Sequence, residues 1–265
     1  MGAARHEAFR SRYGAWALVA GASEGLGAAF AVELGQRGLN LALIARRGDA
    51  LEQVAEGIRA ERGVEVRCLA LDLADPQAAT KVSDVLAGLE LGLLVYNAAS
   101  VPLGPLLETD PAEIDQAVAV NVRGPLAFVR ALVPGMCERG RGGVLLMSSL
   151  AGLQGAPGIV TYSASKAFNI ILAEGLWGEL RDRGVDVSVC CSGAVPTPGY
   201  ARFSGQEVPG MLSPEEVVRR TLDALGRGPR FVPGLTNRIV ARVIGWLLPR
   251  KTAIGIMAKN TERLL

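Results

Sequence analysis

Short apolar runs alternate along this chain with longer stretches in which apolar positions recur every three or four residues. The apolar runs are residues 16–20, 39–45, 64–71, 91–96, 143–147 and 185–191. Each reads as a strand buried on both faces, because a half-solvated strand would alternate polar and apolar side chains. The periodic stretches 28–37, 49–62, 76–87, 111–122, 125–138 and 161–183 read as helices. Parallel strands require such crossovers, so the pattern predicts an α/β fold: a doubly wound, Rossmann-type parallel sheet with helices on both faces. No linker divides residues 1–265, which are expected to form one domain.

After Cys191 the alternation loosens. Residues 196–212 are rich in Gly, Pro and Ser, carry Tyr200, Phe203 and Met211, and read as a mobile flap. Ser213-Pro214-Glu215-Glu216 has the composition of a helix start, with a Ser cap, Pro at the first position and acids in the first turn; that helix is expected to reach Leu225. Residues 230–232 read as a final edge strand. The helical tail 236–265 sets Ile239, Val240, Val243, Ile244 and Leu247 on one face, with Arg238 and Arg242 opposite. Packing of this face against the protein is preferred over its resting on a membrane. Residues 1–14 are polar and are expected to pack loosely at the edge of the fold.

Composition narrows the chemistry. Hydrophobic residues at 49% and charged residues at 20% describe a chain that folds around a core, and a net charge of +2 leaves no electrostatic footprint for nucleic acid. The single histidine, His6, lies in the polar lead-in, which removes Ser-His-Asp triads and histidine-based metal sites. No Gly-x-Ser-x-Gly elbow surrounds Ser148 or Ser149. Cys68, Cys137, Cys190 and Cys191 form no Cys-x-x-Cys pair, and the first residues lack an apolar signal core. A cytoplasmic protein with reduced thiols and no metal is the expectation.

Two stretches carry candidate chemistry. Gly21, Gly25 and Gly27 stand between the first strand and first helix, where glycines let a backbone approach a pyrophosphate and the helix start offers free N–H groups. A tight turn alone could use the same glycines, but the strand–turn–helix–strand setting favours a dinucleotide. The second strand ends at Arg46 and Arg47, where an acid would hold the 2′-hydroxyl of NAD; guanidiniums suit the 2′-phosphate of NADP, which is therefore preferred over NAD. Glu24, inside the glycine loop, argues mildly the other way. In the second stretch Tyr162 and Lys166 stand four residues apart on one face of a helix start. The ammonium is expected to draw the phenol below its usual pKa of ~10. Ser149, thirteen positions before Tyr162, can fold back across a Gly- and Pro-rich loop towards the phenol, giving a proton donor poised for acid–base work.

Together these residues resemble the single-domain short-chain dehydrogenase/reductases over residues 16–197, through Gly21-x-x-x-Gly25-x-Gly27, Asn97-Ala98-Ala99, Asn121, Ser149 and Tyr162-x-x-x-Lys166. The lead-in and tail look like a bacterial broad-range reductase branch. The resemblance implies a hydride-transfer enzyme acting on a carbonyl or secondary alcohol. Tyr162 would exchange the proton, Lys166 would tune it and hold the nicotinamide ribose, Ser149 would bind the reacting oxygen, and Asn121 would kink its helix and anchor a water. It further implies a cofactor surface of Ser23, Leu26, Asp72, Leu73, Asn97, Ala98, Val195 and Thr197 beside the glycines and arginines. Asp72 would meet the adenine and Asn97 would brace the sheet. Ala20, Ala99 and Ser192 depart from the family's usual Thr, Gly and Pro, which bears on cofactor fit and loop rigidity. A cofactor-binding regulator without catalysis is the competing reading, and intact Ser149, Tyr162 and Lys166 argue against it. With Tyr200, Phe203 and Met211 and few charges in the flap, the expected substrate is an apolar or bulky, or acyl-type, small molecule, and the helices 125–138 and 161–183 resemble those that build the family's dimers and tetramers.

Overall fold

The apolar runs form strands, and every strand pairs in parallel. A computed structural model describes residues 2–202, 204 and 206–261; Phe203, assigned to the flap, lies outside them. The strands are β1 (Trp16–Ala20), β2 (Asn40–Ala45), β3 (Val66–Ala70), β4 (Leu91–Tyr96), β5 (Gly142–Ser149), β6 (Val185–Ser192) and β7 (Arg230–Phe231). They lie in the order β3-β2-β1-β4-β5-β6-β7. The winding reverses between β1 and β4, and the carboxyl ends of strands at such a switch point open a crevice.

Each central strand feeds two cores. Leu18, Ile44, Leu94, Leu146 and Val189 face one layer, which packs on α6 (Gly124–Glu138) and α7 (Val160–Leu180). Val19, Leu43, Val95 and Leu145 face the other, against Phe30 and Leu34 of α2 (Gly25–Gln36), Leu51 and Ile58 of α3 (Gly48–Arg62), and Val218 and Leu222 of α9 (Pro214–Ala224). Two-sided burial is why these strands read as unbroken apolar runs. The remaining helices before β5 are α1 (Gly2–Tyr13), α4 (Ala78–Val85) and α5 (Pro111–Val118).

The lead-in differs from expectation. It forms α1, and Tyr13 is buried, its hydroxyl donating to Asp186 Oδ2 at 2.8 Å. Arg12 pairs with the same carboxylate through Nη2 at 2.6 Å, and the Arg37 guanidinium covers the Phe9 ring at 4.7 Å. Contacts with partners distant in sequence dock this polar segment, so its composition gave no sign of them.

The two helices expected at 111–122 and 125–138 are one run, joined by a π-turn at Ala119–Arg123. This wider turn frees the Val120 carbonyl, which accepts the buried Tyr96 hydroxyl at 2.8 Å. A Cβ at Gly124 would lie 2.0 Å from the Tyr96 hydroxyl oxygen, so the close approach requires glycine. The run is long and apolar enough to cross a bilayer, but 56% of its most apolar window is buried inside the protein.

The tail also departs from the pattern. It contains α10 (Leu235–Arg242), a π-turn (Val243–Leu247) and α11 (Arg250–Thr261), with α8 (Pro198–Ala201) lying earlier in the 196–212 segment. The apolar face predicted to pack inward leaves Ile239 and Leu247 exposed. Asn237 is the buried residue of α10, because its side-chain amide donates to the carbonyls of Gly210 and Pro233 at 3.0 Å each.

Candidate active site

The first turn of α2 is built to receive an anion. Gly21 adopts a left-handed φ of 84°, and a Cβ there would lie 2.7 Å from Ala98 Cα. A Cβ on Gly27 would lie 1.8 Å from the Gly21 carbonyl oxygen, so helix and strand meet only because that position is bare. The Asn97 amide donates to the same carbonyl at 2.9 Å, bracing β4 against the loop as the resemblance implied. Glu24 occupies the cap position of α2 but its side chain makes no capping bond, leaving the helix start to the cleft.

That cleft, about 830 Å³, is walled by Gly21, Ser23, Gly25 and Leu26, by Arg46 and Arg47, by Asp72 and Leu73, by Asn97 and Ala98, and by Thr197. Asp72 also accepts from the Ala74 N–H at 3.0 Å, which fixes the turn after β3. Thr197 caps α8 by accepting from the Tyr200 N–H at 3.1 Å. A dinucleotide fits this surface: uncapped helix, bare glycines, arginines at the ribose end and apolar walls lie in one trough. Gly27 lies beneath the trough. Val195 is buried, and it stands outside the cleft walls together with Ser149, Tyr162 and Lys166.

Those last three candidates come together around the carboxyl end of β5. The strand runs beyond the predicted 143–147 and carries Ser149 at its tip. Lys166 is buried, and its ammonium donates to the Met147 carbonyl at 2.9 Å; Ser148 Oγ donates to the Lys166 carbonyl at 2.7 Å. The ammonium lies 5.5 Å from the centre of the Tyr162 ring. The nearby Ser149 hydroxyl pulls the Tyr162 pKa down, but burial is the larger effect and raises it. This corrects the expectation of a phenol depressed by lysine: the Lys166 ammonium donates a hydrogen bond to a strand carbonyl, and desolvation dominates the phenol.

Asn121 sits at the centre of the π-turn, fully buried. Its Oδ1 accepts from the Ser100 N–H at 2.8 Å, and its Nδ2 donates to the Ser100 carbonyl at 2.8 Å and to Ser165 Oγ at 3.0 Å. Ser165 Oγ in turn donates to the Tyr162 carbonyl at 2.7 Å. The kink expected at Asn121 is therefore present, and the side chain ties the cleft wall at Ser100 to the helix bearing Tyr162 and Lys166. Ser100 and Ser165 were not singled out from the sequence; only the bonds that Asn121 makes identify them.

Burial lowers the Lys166 pKa to about 8. Below that pH the folded chain bears the full cost of an enclosed ammonium. The cost fades as pH rises from the folded value towards the unfolded one of ~10.4, because the unfolded chain still binds the proton over that interval. The stability of the wild type relative to Lys166→Met is thus expected to increase between about pH 8 and about pH 10. Urea unfolding of both proteins across this range checks it, and a constant difference would contradict it.

A dinucleotide cradle at a switch point, beside a Ser–Tyr–Lys cluster, defines a nicotinamide-dependent oxidoreductase of the Rossmann type. The profile described as "short chain dehydrogenase" matches residues 15–207, and the chain belongs to that family. It is 32% identical over 233 residues to a 7beta-hydroxysteroid dehydrogenase of Clostridium sardiniense, covering 87% of this chain and 89% of that protein. It is 32% identical to a very-long-chain 3-oxoacyl-CoA reductase of Anas platyrhynchos, over 95% of this chain and 81% of that one. Among solved structures, one described under 7beta-hydroxysteroid dehydrogenase stereoselectivity superposes with a TM-score of 0.88 at 28% identity, over 94% of this chain and 98% of that one. A short-chain dehydrogenase from Sphingobium yanoikuyae in complex with NADPH gives 0.78 at 28% identity, covering 85% and 91% of the respective chains. The chain is a short-chain dehydrogenase that moves hydride between a nicotinamide cofactor and a carbonyl/alcohol pair.

Proposed function

We propose that this enzyme reduces the carbonyl of an apolar substrate with NADPH, and that Tyr162, Ser149, Lys166 and Asn121 form its catalytic apparatus. The observation that carries the proposal is the hydroxyl pair of Ser149 and Tyr162 at the tip of β5, beside the buried Lys166 ammonium. The bound cofactor supplies the hydride. Tyr162, kept protonated at neutral pH by burial, donates its proton to the carbonyl oxygen as charge develops there. Ser149 donates a hydrogen bond to that oxygen. Lys166, its ammonium 5.5 Å from the centre of the Tyr162 ring, would hold the nicotinamide ribose and so keep the cofactor beside the phenol. Asn121 acts as a positioning residue through Ser165 and the Tyr162 carbonyl.

Apolar surroundings support the substrate class. Ala151, Ala156 and Ile159 form a small buried cluster, and the partly buried Val101, Leu103, Tyr162 and Met257 pack against it. Hydroxysteroid and 3-oxoacyl relatives agree with a hydrophobic body flanking the reacting carbon. NADP rather than NAD rests on Arg46 and Arg47 lining the ribose end of the cleft with no acid at the end of β2. Exposed Leu126 on α6 and Val160 and Ile171 on α7 suit burial in a homo-oligomer. A spectrophotometric panel of ketosteroids and 3-oxoacyl thioesters, run with NADPH and with NADH, tests the reading. Turnover is expected with an apolar ketone and with NADPH at least about tenfold better in kcat/KM, the scale of one charge-assisted contact. Equal use of NADH, or turnover only of small polar carbonyls, would overturn it.

A further inference from the structure

The carboxylate of Glu24 is shared by two arginines that are far apart in sequence. Arg47 donates from Nη2 to Oε2 at 2.6 Å. Arg202, immediately after α8, donates from Nη1 to the same Oε2 at 3.3 Å and from Nη2 to Oε1. Glu24, Arg47 and Arg202 all border the cleft, as does Arg46, for which no ion pair is found among the described residues. Among the cleft walls the three guanidiniums of Arg46, Arg47 and Arg202 outnumber the carboxylates of Glu24 and Asp72, leaving one net positive charge.

That balance bears on what the cluster is for. Arg202 and Arg47 hold the Glu24 pKa below the usual carboxylate range, Arg202 being the larger influence, so the carboxylate stays charged at neutral pH. An acid at a phosphate site would oppose binding if it stood alone. Here it converges two forked donors, each with further N–H groups free to turn towards the cleft. A phosphate monoester carries about −1.5 to −2 at neutral pH, opposite in sign to the surplus the cleft leaves uncompensated. A nucleotide with a bare 2′-hydroxyl would leave that surplus unmatched.

We propose that Arg202 is a third arginine of the 2′-phosphate subsite, held beside Arg47 by the shared Glu24 carboxylate. Arg202 is then a specificity-determining residue contributed by the segment after β6, outside the strand end that reads the ribose. The inference rests on the NADP reading above and adds a residue to it. Arg202 is exposed, with 57% of its side chain accessible, so removing it spares the core.

The test measures binding, not turnover. Dissociation constants for NADPH, NADH, 2′,5′-ADP and 5′-AMP are obtained by fluorescence and calorimetric titration for the wild type, Arg202→Ala and Arg46→Ala. For Arg202→Ala, NADPH and 2′,5′-ADP are expected to weaken by about tenfold to a hundredfold, the scale of a charge-assisted hydrogen bond, while NADH and 5′-AMP stay within about twofold. An equal loss for phosphorylated and unphosphorylated ligands, or no loss for either, would make the Arg202–Glu24 pair a simple clamp on α8 and overturn the inference. If Arg46→Ala lowers the NADPH preference while Arg202→Ala does not, only this inference fails. If the wild type itself binds NADH as tightly as NADPH, the NADP reading fails and the inference falls with it.

Discussion

Replacing Tyr162 by Phe is expected to lower kcat by about a thousandfold while NADPH binding stays within about twofold, because general acid catalysis by a positioned group contributes on that scale. The substitution removes one oxygen and leaves the ring in place among Ala151, Ala156, Ile159 and Met257, so the apolar pocket keeps its shape. It removes the oxygen beside the Ser149 hydroxyl, but Ser149 accepts from the Ala151 N–H at 3.1 Å and keeps its rotamer. The phenol lies outside the cleft walls that hold the adenosine end of the cofactor, which separates the loss in turnover from binding. Steady-state kinetics with an apolar ketone, beside fluorescence titration of NADPH, check both halves. A variant that binds NADPH normally and turns over at the wild-type rate would remove Tyr162 from the chemistry.

The second large effect is expected at Gly27. Gly27→Ala puts a methyl group 1.8 Å from the Gly21 carbonyl oxygen and 2.8 Å from Asn97 Nδ2. Neither neighbour is a flexible chain end: one is backbone, and the other is the amide that braces the loop through its 2.9 Å bond. The α2 start must therefore move off β1, breaking the bond and lifting the N–H groups away from the pyrophosphate position. Overpacking of this kind costs about 3 kcal/mol or somewhat more, which for a chain of this size lowers Tm by about 6–12 °C. Loss of NADPH affinity by at least about a hundredfold is expected together with the drop in Tm, since dipole and N–H contacts are lost at once. Differential scanning fluorimetry with and without NADPH measures both. A variant with unchanged Tm and affinity would mean that the glycine loop is not the cradle described.

What could be read from the sequence, and what could not, divides on physical lines. The strands were legible because burial on both faces forces continuous apolar runs, and the glycine loop was legible because only bare positions permit the Gly21–Gly27 approach. Ser149, Tyr162 and Lys166 were found from spacing and family resemblance. Their electrostatics were misjudged, because helical spacing says nothing of burial or of the Met147 carbonyl that accepts a hydrogen bond from the Lys166 ammonium. Features set by distant partners left no local pattern. Tyr13 meets Asp186, Asn237 turns inward to the Gly210 carbonyl, and Arg202 reaches Glu24 across 178 positions. The tail misled in part for the same reason: Val240, Val243 and Ile244 of its apolar stripe are half-buried, but Ile239 and Leu247 are exposed, and the buried residue of α10 is the asparagine held by distant carbonyls.

Hydride delivery beside Tyr162 is the step on which every role above depends. A single-turnover reaction with NADPH deuterated at nicotinamide C4 and an apolar ketone, read by mass spectrometry of the alcohol, tests this most directly. The wild type should place one deuterium on the carbinol carbon, and Tyr162→Phe at saturating cofactor should do so at least about a hundredfold more slowly. Tight NADPH binding with no deuterium in the alcohol, or equal rates for the two proteins, would contradict it.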